Sequence, residues 1–347
     1  MPQKITAQGI RAARSASDKR DRDLADELGI REAQLVAAHV GHHVTRINPH
    51  PDAWMAEVPK LGEVMALTRN ISCVHERVGT YGEYHSGAHA AMVLGKEIDL
   101  RIFAKHWVSA FAIDQETKNG RRRSLQVFDA AGNAVHKIFL RDTSTDSAWD
   151  GIVATLRLDE QVDTLAVEAE IPTEPAKAKP EKRDILLEEW AQLTDTHQFA
   201  RMTAKLGMNR LGAYRLVEGE KWVRALDKSV SEDLFNRVSE ARQKVILFVG
   251  NPGNIQIHWG TLDTIKPMGP WINVLDPRFN LHLRGDHVAE VYAVEKPTKS
   301  GPALSIEAFD QHGMLIYQVF AQRDGDADDL VQWRGIIEAL PSATVSA

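Results

Sequence analysis

Two spacings of apolar residues alternate along the chain. Residues 24–40 (LADELGIREAQLVAAHV), 184–193 (DILLEEWAQL) and 200–217 (ARMTAKLGMNRLGAYRLV) set apolar side chains three and four apart, the period of a helix with one covered face. Residues 97–113, 123–140, 244–250, 254–260 and 287–296 instead carry β-branched and aromatic residues in near-alternation, which predicts strands. Short turn formers separate the strand runs: TKNG (117–120), TKSG (298–301), DAAGN (129–133) and DQHGM (310–314). Two further helical patterns, 147–158 and 327–340, follow the strand runs. Strands joined by turns this short pair antiparallel, and helices grouped at the ends of such runs lie on one face or end of the sheet, so the fold class is α+β.

The pattern occurs twice. SLQVFDAAGNAVHKIF (124–139) resembles SIEAFDQHGMLIYQVF (305–320), and the same offset of 181 residues aligns HWVSAFAIDQETKNG (106–120) with HVAEVYAVEKPTKSG (287–301). Residues 64–139 set against 245–320 without gaps give 17 identities in 76 pairs, against about one in sixteen by chance at ordinary composition. A period this long means a duplicated domain rather than a solenoid. Between the copies, EIPTEPAKAKPEKRD (170–184) combines Pro172, Pro175 and Pro180 with Lys and Glu, a solvated and extended linker. The expected organisation is one copy over 1–169, a linker over 170–184 and a second copy over 185–347, each copy a large mainly antiparallel sheet flanked by helices.

Composition narrows the partners. The 347 residues, 43% hydrophobic and 26% charged, are those of a globular protein. A net charge of −6 argues against nucleic acid or an anionic membrane as whole-molecule partners, though not against a local basic pocket. The single cysteine, Cys73, excludes an internal disulfide and points to a reducing cytoplasm. Its apolar strand context makes it inert. The first residues lack the apolar core of a secretory signal, and no apolar run approaches a membrane span.

The candidate chemistry is sparse. HVGHH supplies His39, His42 and His43, and YHSGAH supplies His85 and His89, but neither has an acidic or thiol partner at a recognised metal spacing. FVGNPGN (248–254) lacks both the Gly-Lys-Ser/Thr of a phosphate loop and the dinucleotide Gly-x-Gly-x-x-Gly, so it reads as a turn. NGRRRS (119–124) reads as a charged hairpin tip. His197, in LTDTHQFARM (193–202), is different: it sits between two helical patterns and has no histidine counterpart in the first copy, where Lys19 is the nearest equivalent. Other pairs also differ: His136 with Tyr317, Lys137 with Gln318, Arg101 with His282 and Phe103 with Arg284. A lone histidine beside a helix start is ordinarily a solvated residue. A haem ligand would need an apolar slot and cations for two propionates. The second copy has Phe248, Trp271, Tyr317 and Phe320 for the first and Arg210, Lys296 and Arg323 for the second, but spacing alone does not bring them together.

The whole chain resembles the bacterial cytoplasmic haem-utilisation proteins of the HemS and ChuS type, on GEVMALTRN, VHERVG, EIDLRIF, DTHQF, VGNPGNIQIH, MGPWINVLDPRFNLHL, EKPT and YQVFAQR. The resemblance implies a duplicated fold that binds one haem b non-covalently in a cleft between the halves. It makes His197 of DTHQF the iron ligand and puts Arg210 on the distal face, where it would carry the catalytic role. Arg101 and Phe103 of DLRIF, Phe248, Lys296 of EKPT, Tyr317 and Gln318, and Arg323 fall on positions at the haem pocket, edge and propionates. Phe320 departs from the family's frequent second tyrosine, keeping a wall and losing a hydroxyl. The implied function is receipt of imported haem and its oxidative degradation to free iron. No flavin or dinucleotide fingerprint is present, so electrons would come from an external donor. The alternative is a carrier that passes intact haem to a separate haem oxygenase. The implied partners are haem, an inner-membrane haem transporter, that electron donor and such an oxygenase.

Overall fold

A computed structural model describes residues 5–118, 120–323 and 327–343. Among the described residues there are ten α-helices, α1 (Ala7–Ser15), α2 (Asp21–Glu27), α3 (Glu32–Ala37), α4 (Pro51–Glu57), α5 (Trp149–Leu156), α6 (Arg183–Ala191), α7 (Gln198–Leu206), α8 (Arg210–Leu216), α9 (Val230–Glu240) and α10 (Ala327–Glu338), and eighteen strands. Those of the first copy are β1 (Val44–Ile47), β2 (Gly62–Arg69), β3 (Cys73–Gly79), β4 (Glu83–His85), β5 (Ala91–Leu94), β6 (Asp99–Ile102), β7 (Ser109–Thr117), β8 (Gly120–Phe128) and β9 (Ala134–Ser144). Those of the second are β10 (Val223–Leu226), β11 (Val245–Asn251), β12 (Asn254–Gly260), β13 (Ile265–Met268), β14 (Trp271–Asp276), β15 (Phe279–Arg284), β16 (Val288–Lys296), β17 (Ala303–Asp310) and β18 (Leu315–Ala321). They form two nine-stranded sheets, ordered β1-β7-β8-β9-β2-β3-β15-β14-β13 and β10-β16-β17-β18-β11-β12-β6-β5-β4. Exchanging the copies turns one order into the other, so the duplication read from the 181-residue offset is matched strand for strand. The α+β class holds, with antiparallel pairing throughout the strand pairs whose register is defined, among them β7 with β8 and β16 with β17.

Each order contains six strands of one copy and three of the other, whereas the sequence pattern predicts a sheet confined to each copy. Alternation specifies that a strand has one covered face; it carries no information about which copy supplies the neighbour. The compact units reflect this. One comprises 1–69, 75–171 and 250–256, the other 70–74, 172–249 and 257–347, so the boundary falls inside β3, β11 and β12. In the first unit, Trp54, Ile102, Trp107, Leu125 and Ile138 belong to the main core. Beside it His136, fully buried, holds Thr68 Oγ1 at 2.9 Å and Tyr81 OH at 2.6 Å. Burial lowers its pKa to about 3, so it is a neutral structural histidine.

The helical patterns break where glycine permits a left-handed residue. The pattern over 200–217 is two helices, α7 (Gln198–Leu206) and α8 (Arg210–Leu216), separated at Gly207 with φ 75°. The second unit has two covered sheet faces. On one, Phe235, Leu247, Ile306, Tyr317, Val319 and Trp333 form a core with α9 (Val230–Glu240) and α10 (Ala327–Glu338). On the other, α6 (Arg183–Ala191), α7 and α8 bring Trp190, Phe199, Met202 and Tyr214 against Tyr292 and Val294 of β16.

The linker is extended and exposed over most of its length, as its composition predicts, but it is tied down. Asn209 N donates to Lys177 O at 3.1 Å, and Asn209 Oδ1 accepts from Lys177 N at 2.9 Å while capping α8 at Gly212 N. A Cβ on Gly212 would lie 2.0 Å from Lys177 O. Gly212→Ala should therefore displace the linker and cost about 1–3 kcal/mol, read as a lower unfolding midpoint in urea with unchanged slope.

Candidate functional site

The cross-strand register of the second unit explains where its cavity lies. Val294, Ser305, Phe320 and Ile246 form one row across β16, β17, β18 and β11, and Tyr292, Glu307, Gln318 and Phe248 form the next. Side chains directly opposite one another share a face. The helices α6–α8 cover the β16 end of these rows, through Tyr292 and Val294. At the β11 end, Ile246, Phe248 and Phe320 line a cavity of about 590 Å³, within the range of small-molecule and cofactor sites. Phe248 and Phe320 meet edge to face with centroids 5.7 Å apart. Trp259, Leu304, Leu330 and Trp333 add apolar wall, and two polar segments complete it: Thr194–His197 and Thr298–Ser300.

His197 stands at the N-cap of α7, and its side chain is 93% exposed. It is the one histidine lining the cavity among the described residues. Its position is fixed locally. Asp195 Oδ1 accepts from His197 N at 2.7 Å and lies 2.7 Å from His197 Nδ1. The hydrogen bonds from the His197 backbone and ring hold the Asp195 carboxyl below its usual pKa. Gln198 folds back so that its Oε1 accepts from Thr194 N at 2.9 Å. With Nδ1 engaged by a carboxylate, Nε2 is the ring nitrogen left for a metal, the arrangement that orients an imidazole ligand.

The other expected residues divide by location. Phe248 and Arg323 line the cavity with His197 and Phe320. Gln318 is half-buried between Phe248 and Glu307 in their row. Tyr317 points to the opposite face, where its hydroxyl meets Ser231 Oγ at 2.8 Å. Lys296 and Arg210 are not among the lining residues. Both are engaged by Glu307, which is fully buried: Lys296 Nζ donates to Oε1 at 2.7 Å and Arg210 Nη1 to Oε2 at 2.6 Å. Tyr214 OH donates to Oε2 at 2.9 Å and accepts from Lys296 Nζ at 2.9 Å. The Lys296 ammonium also lies 4.8 Å from the Phe199 ring centroid. Burial lowers the Lys296 pKa to about 8 against the opposing pull of Glu307. Burial alone would raise the Glu307 pKa; the Arg210 and Lys296 charges outweigh it and hold the carboxyl well below the usual range. In the first unit, Arg101 pairs with Asp99 and donates to Leu100 O at 3.0 Å, and the half-buried Phe103 donates its N–H to Gly253 O at 3.0 Å.

Asp195, Glu307, Tyr214, Trp259 and Lys299 were not among the expected residues. Signals for two of them exist in the sequence. Asp195, two residues before His197, has the spacing of a side-chain turn. The 181-residue offset pairs Gln115 with Lys296 and Gln126 with Glu307, so two amides change together into an ion pair. Among the described residues, no group of three or more His, Cys, Asp or Glu is arranged to hold a metal ion, and Cys73 is buried with its thiol pKa pushed up by that burial. Asn119, the first residue of the NGRRRS stretch, lies outside the described residues.

A duplicated two-sheet fold with a histidine-rimmed apolar cavity defines a class of small-molecule binding protein, and comparison with known proteins specifies it. The haemin-degrading HemS.ChuX domain matches residues 29–156 and 207–340. The chain is 34% identical over 342 residues to the hemin transport protein HmuS of Yersinia pestis, covering 98% of each. The holo-PhuS structure, a heme-binding protein from Pseudomonas aeruginosa, is 40% identical with a TM-score of 0.87 and 97% of each chain covered. ChuS, described as an E. coli heme oxygenase, is 31% identical with a TM-score of 0.84, covering 95% of this chain and 99% of its own. The chain belongs to the HemS/ChuX-domain family. No helix among the described residues is long and apolar enough to cross a membrane.

Proposed function

We propose that this protein binds one haem b non-covalently in the cytoplasm, with His197 as iron ligand and the cavity of the second unit as the ligand's apolar seat. The observation that carries this is the Asp195–His197 pair at 2.7 Å on the rim of a cavity walled by Phe248, Phe320, Trp259 and Trp333. A carboxylate-oriented imidazole, an aromatic slot and nearby cations are the parts that haem requires. The relatives are named for hemin transport, heme binding and heme oxygenation.

The bound haem is then used. In the first reading it is degraded on the protein to release iron, its own iron supplying the oxidative chemistry with electrons from an external donor. The matched domain is named as haemin-degrading, and ChuS is described as an oxygenase. Arg210 is the distal residue in that reading, and the role requires its release from Glu307. In the second reading the protein is a carrier between an inner-membrane transporter and a separate haem oxygenase. The engagement of Arg210 by Glu307 favours it, as does the exposure of His197, since an accessible ligand can be handed over.

One experiment separates the two. The purified haem complex is given a reductant and O₂, with catalase to remove peroxide. Loss of the Soret band with free iron and a defined tetrapyrrole product supports degradation. A stable Soret band, with haem passed to an added oxygenase, supports the carrier.

A further inference from the structure

We infer that the loop over residues 298–302 recognises the carboxylates of the ligand and that Lys299 is its cation; the inference rests on the haem reading above. Two lysine or arginine side chains line the cavity, Lys299 and Arg323, and two more, Lys296 and Arg210, are held by Glu307; their surroundings differ. The Lys296 ammonium is sealed with Glu307 and Tyr214, and the residue is 2% exposed. Moving it to a ligand would leave Arg210 as the only cation on a fully buried carboxylate. Arg323 lines the cavity, but its terminal nitrogens are spent on the loop. Nη1 donates to Ser300 O at 3.0 Å and to Ser300 Oγ at 3.2 Å, and Nη2 donates to Gly301 O at 3.4 Å and to Pro302 O. Arg323 therefore shapes the loop and adds positive field.

Lys299 is exposed, lines the cavity, and is in no ion pair among the described residues. Its backbone is not loose. Lys299 N donates to Thr194 O at 3.0 Å, and Thr194 N is held in turn by Gln198 Oε1. The loop is thus fastened to the segment that carries His197, so the distance from the imidazole to the root of the Lys299 side chain is set by the fold. A rigid macrocycle bound through its central metal carries its carboxylates at a fixed distance on one edge. A point charge on a flexible four-carbon stem is suited to meet them at the solvent boundary. The cavity's remaining charge, Asp195, hydrogen-bonds His197, and Lys299 attracts it only at longer range, without an ion-pair contact. The ligand class is a planar apolar macrocycle with anionic groups on one edge.

The test titrates the full chain with haem and with haem dimethyl ester, in the same mixed solvent, following the Soret band and tryptophan quenching. Lys299→Ala should weaken haem binding about threefold and Lys299→Glu about tenfold, as expected of a partly solvated ion pair. Lys299→Arg should restore it. None of the three should alter binding of the diester, the Soret position or the iron–imidazole stretch. The inference is overturned if Lys299→Glu leaves haem affinity unchanged while the spectrum still depends on His197, or if the wild type binds haem and its diester equally. A wild type without a His197-dependent Soret band would overturn the haem reading and this inference with it.

Discussion

Glu307→Ala should lower the stability of the protein by about 3–5 kcal/mol, the cost of breaking a buried ion pair from one side. The side chain is fully buried and takes Lys296, Arg210 and Tyr214 on its two oxygens, with Ser305 Oγ donating at 2.9 Å. Removing it leaves two cations facing each other in an apolar layer beside Phe199 and Tyr214. The larger part of the loss is the penalty on the survivors, so the double variant Lys296→Gln with Glu307→Gln should recover much of it. That pair recreates Gln115 and Gln126 of the first copy. The measurement is urea unfolding of wild type, both single variants and the double. A Glu307→Ala protein within 1 kcal/mol of wild type would show that the cluster is solvated. The pH dependence follows from the direction of the shift. The folded carboxyl titrates below the unfolded value of 4.5, so its contribution is complete above that value and is lost as pH falls toward the folded pKa.

This cluster marks the limit of what the chain discloses by itself. The strands and the duplication were legible because alternation, turn formers and the 181-residue offset are local or self-referential. The α+β class follows from them. The exchange of three strands between the two orders was not legible, since β4–β6 have the same pattern whichever sheet they join. The site divides in the same way. His197 and Phe248 could be named from motifs, and the structure sets them on one cavity. The relation of Lys296 to the ligand depends on what Glu307 does eleven residues later, and on a register that brings Glu307 beside Gln318 and Phe248. Cations at motif positions are interchangeable on paper. Burial and partners distinguish a sealed lysine, a loop-shaping arginine and the lysine of a turn.

His197→Ala should change both the colour and the affinity of the haem complex. Loss of the axial imidazole should shift the Soret band, abolish the iron–imidazole stretch in resonance Raman spectra and weaken binding by about tenfold to a hundredfold, each tenfold being roughly 1.4 kcal/mol. Binding should persist, because Phe248, Phe320, Trp259 and Trp333 still wall the cavity that would take the macrocycle. No other histidine lines the cavity among the described residues, so a substitute imidazole is not at hand and the spectrum should be that of iron without a nitrogen ligand from the protein. Asp195→Asn should fall between the two proteins. It keeps a side-chain acceptor for the backbone N–H of His197 but removes the carboxylate charge at Nδ1, so the iron–imidazole stretch should move to lower frequency with little change in affinity. An unaltered Soret band, Raman spectrum and dissociation constant in His197→Ala would remove His197 from the iron. If only Asp195→Asn were silent, the ligand would stand and the carboxylate would be left with the shape of the helix start.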